Sequence, residues 1–262
     1  EIKYINYLWD SIFLSHNQIA IDFTELSSGK LGSIHPSAVL ESDENINLGQ
    51  GSYISAGVIL DGSNGPIIIG KGTVIDIGAM IKGPVFIGSK CVINPGAKLR
   101  GNIVLGPVCK IGGELEDSII QGFSNKQHDG FLGHSYLGEW VNLGANTNNS
   151  NLKNNYSDIR IMLNNKLIDT HKKFLGVIMG DYSRTGISTM FNTGTYVGVG
   201  ANIFGSEFQS KHIKSFQWGK SDTTNFEKLI ETCRIMKSRR NLKFEECEEN
   251  LLRLLYEKES EK

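Results

Sequence analysis

The sequence predicts an all-β protein wound as a triangular parallel β-helix. Two observations carry this expectation. An aliphatic residue recurs at every sixth position through Ile69, Ile75, Ile81, Ile87, Ile93, Leu99, Leu105 and Ile111. Four positions after each of the first seven stands Thr73, Ala79, Val85, Cys91, Ala97, Ile103 or Cys109, mostly small. A period of six is neither the 3.6 of a helix nor the plain alternation of a strand. It suits a hexapeptide that forms one flat side and one turn, with the aliphatic residue inward, and such short periods mark solenoids. The 30 Gly and 5 Pro fit regular backbone with many tight turns.

Three such sides make a coil of eighteen residues, and coils stack by strand pairing. About seven coils at ~4.8 Å each give a prism roughly 33 Å long. Further inward positions are expected at Leu48, Ile54 and Leu60, at Phe131, Leu137 and Leu143, and at Met179, Thr185, Phe191, Val197 and Ile203. Cys91 and Cys109, eighteen residues apart at the small position, are expected to stack in the core rather than to react.

The remaining elements follow in chain order. Residues 1–30 read as a helical connector, in a chain whose first residue, Glu1, suggests the middle of a longer protein. The β-helix is expected over 31–205. Glu114 to Gly130 loses the phase and gains charge. Residues 148–174 leave the repeat, and DIRIMLNNKLIDT within them reads as a projecting hairpin with an Asn-Asn turn. Residues 206–262 read as a helical tail that caps the last coil, one helix carrying Phe226, Leu229, Ile230, Cys233 and Ile235, the next Phe244, Cys247, Leu251, Leu254 and Leu255. Asp222 and Thr223 are the expected N-caps.

The bulk numbers exclude several classes. A net charge of -1 over 262 residues gives no basic surplus for nucleic acid. No apolar run is long enough to span a bilayer. Four cysteines without CxxC spacing suggest a reduced, cytoplasmic setting and no structural metal. Two histidines in the repeat, His128 and His134, fall on different sides, which argues against a zinc site of converging histidines.

Chemistry in a solenoid is expected where the repeat is interrupted. The segment HDGFLGHSYLGEWVNLGANT, followed by SNLKNNY, resembles the acetyltransferase domain of bifunctional N-acetylglucosamine-1-phosphate uridylyltransferases/glucosamine-1-phosphate acetyltransferases, above all the sugar nucleotidylyltransferase-like proteins of Bacteroidota and their archaeal relatives. The resemblance runs from about Trp9 through KFLGVIMGDYSRTGISTMFNTGT to the tail. It implies a left-handed β-helix, a homotrimer, and a nucleotidyltransferase domain ahead of Glu1. It implies acetyl-CoA as co-substrate and an amino-sugar 1-phosphate, such as glucosamine-1-phosphate, as acceptor.

Residue by residue, the resemblance makes His128 the catalytic histidine and Asn142 the asparagine that holds the sugar amine. Arg100 and Asn151 become sugar-phosphate ligands. Gly144 and Ala145 would meet the acetyl thioester, with the acetyl-CoA arm running on past Gly186 to Gly205. Three positions depart from the pattern: Ser118 stands where a phosphate-binding lysine is usual, and Phe131 and Leu152 stand where tyrosines are. Lys126 or Lys153 would then supply the missing charge. Asn146 replaces a glycine, a change that a positive φ tolerates.

Acetyl transfer to an amine needs a neutral amine and a stabilised oxyanion. Histidine, with an ordinary pKa near 6.5, suits the first need, and a backbone N–H near Gly144 and Ala145 suits the second. The alternative is a non-catalytic oligomerisation scaffold for a sugar-1-phosphate nucleotidylyltransferase.

Overall fold

The computed structural model describes residues 4–26 and 29–260; residues 1–3 and 27–28 of the expected connector lie outside the described residues. The chain is a left-handed parallel β-helix with three sides. Side I begins with Ser33–Ile34 and Tyr53–Ile54, side II with Val39–Glu41 and Ile59–Asp61, and side III with Ile46–Leu48 and Ile67–Ile69. Over the described residues side III is a continuous nine-stranded sheet ending at His212–Ile213.

The period-six reading matches the core. Ile69, Ile75, Ile81, Ile87, Ile93, Leu99, Leu105 and Ile111 are all essentially inaccessible, as are the seven residues at the small position. Small hydroxyl and thiol groups do more than fill space there. Thr73 Oγ1 donates to Gly88 O at 2.8 Å, Cys91 Sγ to Gly106 O and Cys109 Sγ to Gln121 O at 3.1 Å, and Ser124 Oγ to Gly138 O at 2.8 Å. Each therefore satisfies a carbonyl at a corner of the next coil, which a buried backbone needs.

Three expectations are corrected. The stretch from Glu114 to Gly130 loses the phase as expected, within the solenoid, as a shortened coil whose register corrects the inward position. Asn102 and Asp117 occupy equivalent corners only fifteen residues apart, because Gly112 and Gly113 pass straight into Glu114–Glu116. The slip moves the inward position, so Leu132 (2% exposed) packs inside and Phe131 turns outward. It also leaves Lys126 at the inward position in register with Ile111. Second, strands continue past Gly205 through His212–Ile213 to Gln217–Trp218, giving nine coils and the start of another instead of about seven. Third, Asp222–Thr223 cap no helix. They pair antiparallel with Gln217–Trp218 and close the open end of side I. The N-cap is Asn225, whose side chain accepts from Lys228 N–H at 3.0 Å.

Three helices lie outside the prism among the described residues. α1 (Asp10–Leu26) buries Ile12 and Ile19 against side III. The hairpin Arg160–Leu163 and Lys166–Asp169 turns at Asn164 and Asn165, with φ of 48° and 60°. Asparagine tolerates positive φ at both positions of such a turn. Ile159 and Ile161 at its root pack with Trp9, Ile12, Leu175 and Ile178, so arm and α1 cover side III together. α2 (Phe226–Ser238) and α3 (Glu246–Ser260) lie along the edge between sides III and I. Phe123, Trp140 and Tyr182 take successive corners of that edge and Phe216 the one beyond Gly200, all at positive φ near 60°. The first two rings stack at 4.5 Å. α3 meets this layer through Leu252 and Tyr256, whereas the expected apolar positions Leu251 and Leu254 are exposed. No helix among the described residues is long and apolar enough to cross a membrane.

Candidate active site

The predicted site residues are spread over sides I and II, their shared edge, the prism interior and the arm. His128 is exposed, in the corner from side I to side II that follows Asn125–Lys126. The next coils place Gly144 and Ala145, then Gly186, then Gly205 along the same edge. Close stacking explains the glycine at 144: a Cβ there would lie 2.5 Å from the Gly186 backbone. Asn146 takes φ 58°, the conformation expected of it, and its N–H donates to Asp129 O at 2.9 Å, tying the coil to the His128 loop. Gly144 N–H donates to Thr185 Oγ1 at 2.9 Å. Among the described residues Ala145 N–H has no acceptor, so of the two it is the donor left for an oxyanion.

Asn142 lies on side I between Asn125 and Arg184, half-buried, and its Oδ1 accepts from Asn125 Nδ2 at 3.3 Å. Arg100 is on side II and half-exposed. Glu114 Oε1 lies 2.7 Å and Glu116 Oε2 3.7 Å from its NH1, and the Glu114 carboxylate raises the guanidinium pKa further. Outward neighbours Lys98, Phe131 and Asn148 share this side with it, and Asn148 Oδ1 accepts from Phe131 N–H at 2.8 Å.

The structure separates three predicted residues from this set. Lys126 is 2% exposed. Its ammonium donates inside the prism to His128 O, and burial pushes its pKa down to about 8. It cannot reach a ligand on side II, because the shortened coil has turned it inward. Lys153 is held within the arm by Ser157 Oγ and Asp158 O. Asn151 sits at the opposite edge, between sides II and III, with Nδ2 at 3.0 Å from His134 Nδ1.

That second edge was missed in the sequence. Ser15 Oγ donates to Asn102 Oδ1 (2.9 Å), and Asn102 Nδ2 to Asp117 Oδ1 (2.7 Å). Asp117 Oδ2 lies 3.6 Å from His134 Nε2, and the imidazole stacks on Phe174 at 4.9 Å. Asn102, Asp117 and His134 all have positive φ. The signal was present as Asn102 and Asp117 directly ahead of Ile103–Leu105 and Ser118–Ile120, and His134 two residues ahead of Tyr136–Leu137. The exposed trio Asp158, Asp169 and His171 could approach one ion, but Asp158 already pairs with Lys173 at 2.7 Å.

No protein-family model matches the chain. The bifunctional protein GlmU of Methanocaldococcus jannaschii is 34% identical over 117 residues, 44% of this chain and 28% of that protein. The bifunctional sugar-1-phosphate nucleotidylyltransferase/acetyltransferase of Sulfurisphaera tokodaii is 33% identical over 97 residues, 36% of this chain and 24% of that protein. Over those stretches the chain is similar to archaeal bifunctional proteins of this kind. It spans about a quarter of the length of the GlmU relatives it matches. Among solved structures, the UDP-N-acetylglucosamine acyltransferase from Campylobacter jejuni aligns with a TM-score of 0.43 at 20% identity, covering 84% of this chain and 81% of that one. The Arabidopsis UDP-N-acetylglucosamine acyltransferase aligns with a TM-score of 0.33 at 17% identity, covering 77% and 75%.

Proposed function

We propose that this chain is an acyl-CoA-dependent N-acyltransferase, acting with acetyl-CoA on an amino-sugar 1-phosphate such as glucosamine-1-phosphate. One observation carries the reading: an exposed histidine, His128, stands on the edge where the next coil offers the unengaged Ala145 N–H and the following coils expose Gly186 and Gly205. A glycine-lined edge can admit a long thin acyl arm, and the histidine then lies beside its reactive end. The GlmU relatives, one of them named as an acetyltransferase, support the same chemistry.

In this reading the sugar lies on side II with its phosphate at Arg100, whose fixed fork suits an oxyanion. Asn142 orients the amine from across the edge. The amine nitrogen attacks the thioester carbonyl while His128 takes its proton. The oxyanion is met by Ala145 N–H. Collapse breaks the C–S bond, the new amide keeps the acetyl group, and the His128 proton passes to the departing thiolate. No step requires a metal. Assembly as a homotrimer would set side II of one copy against a neighbour and enclose the substrate.

The test is thiol release from acetyl-CoA with glucosamine-1-phosphate, for this chain and its His128→Ala variant. Release that disappears in the variant supports the reading. An inactive unmodified chain that also fails to bind acetyl-CoA would overturn it and leave the scaffold role.

A further inference from the structure

A hollow of about 320 Å³ lies between side I and the C-terminal end of α2, with Lys110, Asn125, Asn142, Arg184, Arg239 and Arg240 on its walls. Four of those six side chains are cations and no carboxylate lines the hollow. From this geometry we infer that the hollow binds the diphosphate group of a nucleotide-type ligand.

The pairing pattern around α2 separates this pocket from an ordinary charged surface. Arg234 and Lys237 of α2 are matched by Glu249 and Glu248 of α3. The cations facing the hollow have no carboxylate partner among the described residues. Arg239 and Arg240 have a local reason to be there, since the C-terminal end of a helix attracts positive charge. Lys110 and Arg184 come from the prism and have none.

Arg184 is the sharpest case. Its guanidinium is half-buried, and the partner of its NH2 is the thioether sulfur of Met236 at 3.0 Å. A thioether is a weak acceptor. A cation taken out of water without a counter-charge is costly, and an anion entering the hollow would remove that cost. The polar groups are already oriented for it. Arg240 NH2 donates to Asn125 Oδ1, and Asn125 Nδ2 donates to Asn142 Oδ1, both at 3.3 Å. A single phosphate would leave four cations under-neutralised; a diphosphate comes closer to balance and can span both walls.

Two sources carry that group: coenzyme A and a nucleoside diphosphate such as that of a nucleotide sugar. The pocket stands on its own observations, and only the choice of coenzyme A as source rests on the acyl-transfer reading. The experiment is titration calorimetry of the full chain with inorganic pyrophosphate, sulfate, UDP and coenzyme A at constant ionic strength. It is repeated on Arg184→Met, Arg184→Lys and Arg240→Gln, each checked for an unchanged far-UV spectrum. Pyrophosphate is expected to bind more tightly than sulfate. Arg184→Met should weaken it roughly ten- to hundredfold, with partial recovery in Arg184→Lys. Competition by coenzyme A assigns the source to the acyl donor, and competition by UDP alone assigns it to a nucleotide sugar. Absence of pyrophosphate binding, or equal binding by Arg184→Met and Arg240→Gln, overturns the proposal. If pyrophosphate binding is absent while acetyl transfer persists, only the pocket falls. If Arg184-dependent binding is present but no amino sugar is acetylated, only the acyl-transfer reading falls.

Discussion

The amide of Asn151 and the imidazole of His134 hold each other at 3.0 Å across the corner between sides II and III. His134, largely buried, thereby gains a partner for Nδ1 while Nε2 faces Asp117. Removing the amide leaves a buried ring nitrogen unsatisfied. Asn151→Ala is expected to lower stability by about 1–3 kcal/mol and to leave KM for the amino-sugar phosphate unchanged. A raised KM with an unshifted Tm would instead make Asn151 a substrate ligand.

His134 also sets an acid limit. Burial lowers its pKa below the ordinary 6.5, against the pull of Asp117 and Glu116. Between the two values the unfolded chain binds the extra proton, so stability falls as pH drops through the window ending near 6.5. His134→Asn should flatten that fall in denaturant melts recorded from pH 7 downward.

Lys126 acts at the other end of the pH scale. Its folded pKa of about 8 lies below the ordinary 10.5, so the unfolded chain holds more protons between those values and stability rises with pH across them. Lys126→Met should abolish the rise and stabilise the fold at neutral pH by of order 1–3 kcal/mol. The same variant unties His128 O, so kcat for acetyl transfer should fall even as Tm climbs. Parallel melts and kinetics read both.

Arg100 is engaged by Glu114 at 2.7 Å, a half-exposed pair worth little to the fold. A phosphate must compete with that carboxylate. Glu114→Gln is therefore expected to lower KM for a sugar phosphate, while Arg100→Ala raises it, each with Tm nearly unchanged. A rise in KM for Glu114→Gln would show that the carboxylate itself contacts the sugar.

The cysteines divide by exposure. Cys91, Cys109 and Cys233 are buried, and burial pushes the Cys233 thiol up to about 11. Cys247 is exposed. Native labelling with a thiol reagent should go quickly at Cys247 and reach the other three only on unfolding, which peptide mapping would reveal.

Much of this was legible from residue type alone. Ile69 to Ile111 announced the coil because an inward aliphatic is required at each side, and Asn164-Asn165 announced a turn because both need positive φ. The histidine and glycines of one edge were recognisable by their pattern. What failed did so at changes of register. From Glu114 onward a coil is shorter: period counting assigned Phe131 inward, where it turns outward, and the resemblance offered Lys126 as a ligand, where the register turns it inward. Asp222 looked like a cap because Asp often is one, but its backbone was claimed by Trp218. The pocket of Lys110, Arg184 and Arg240 joins residues far apart in the chain, Arg240 and Asn125 being 115 apart, which no local pattern reports.

The arm has a kinetic consequence. Neighbouring coils elsewhere join residues 15 to 21 apart, Thr73 and Cys91 at 18 among them, whereas Val177 must find Ser135 at a separation of 42. Closing the longer loop costs only about 0.6–0.8 kcal/mol more, yet it falls at one point in a stack that otherwise zips coil upon coil. The coils before the arm can propagate without those after it. Pulse-labelled hydrogen exchange should therefore find residues 46–137 protected first and 177–213 in a later phase, with the seam of the molecule drawn where the hairpin was spliced in.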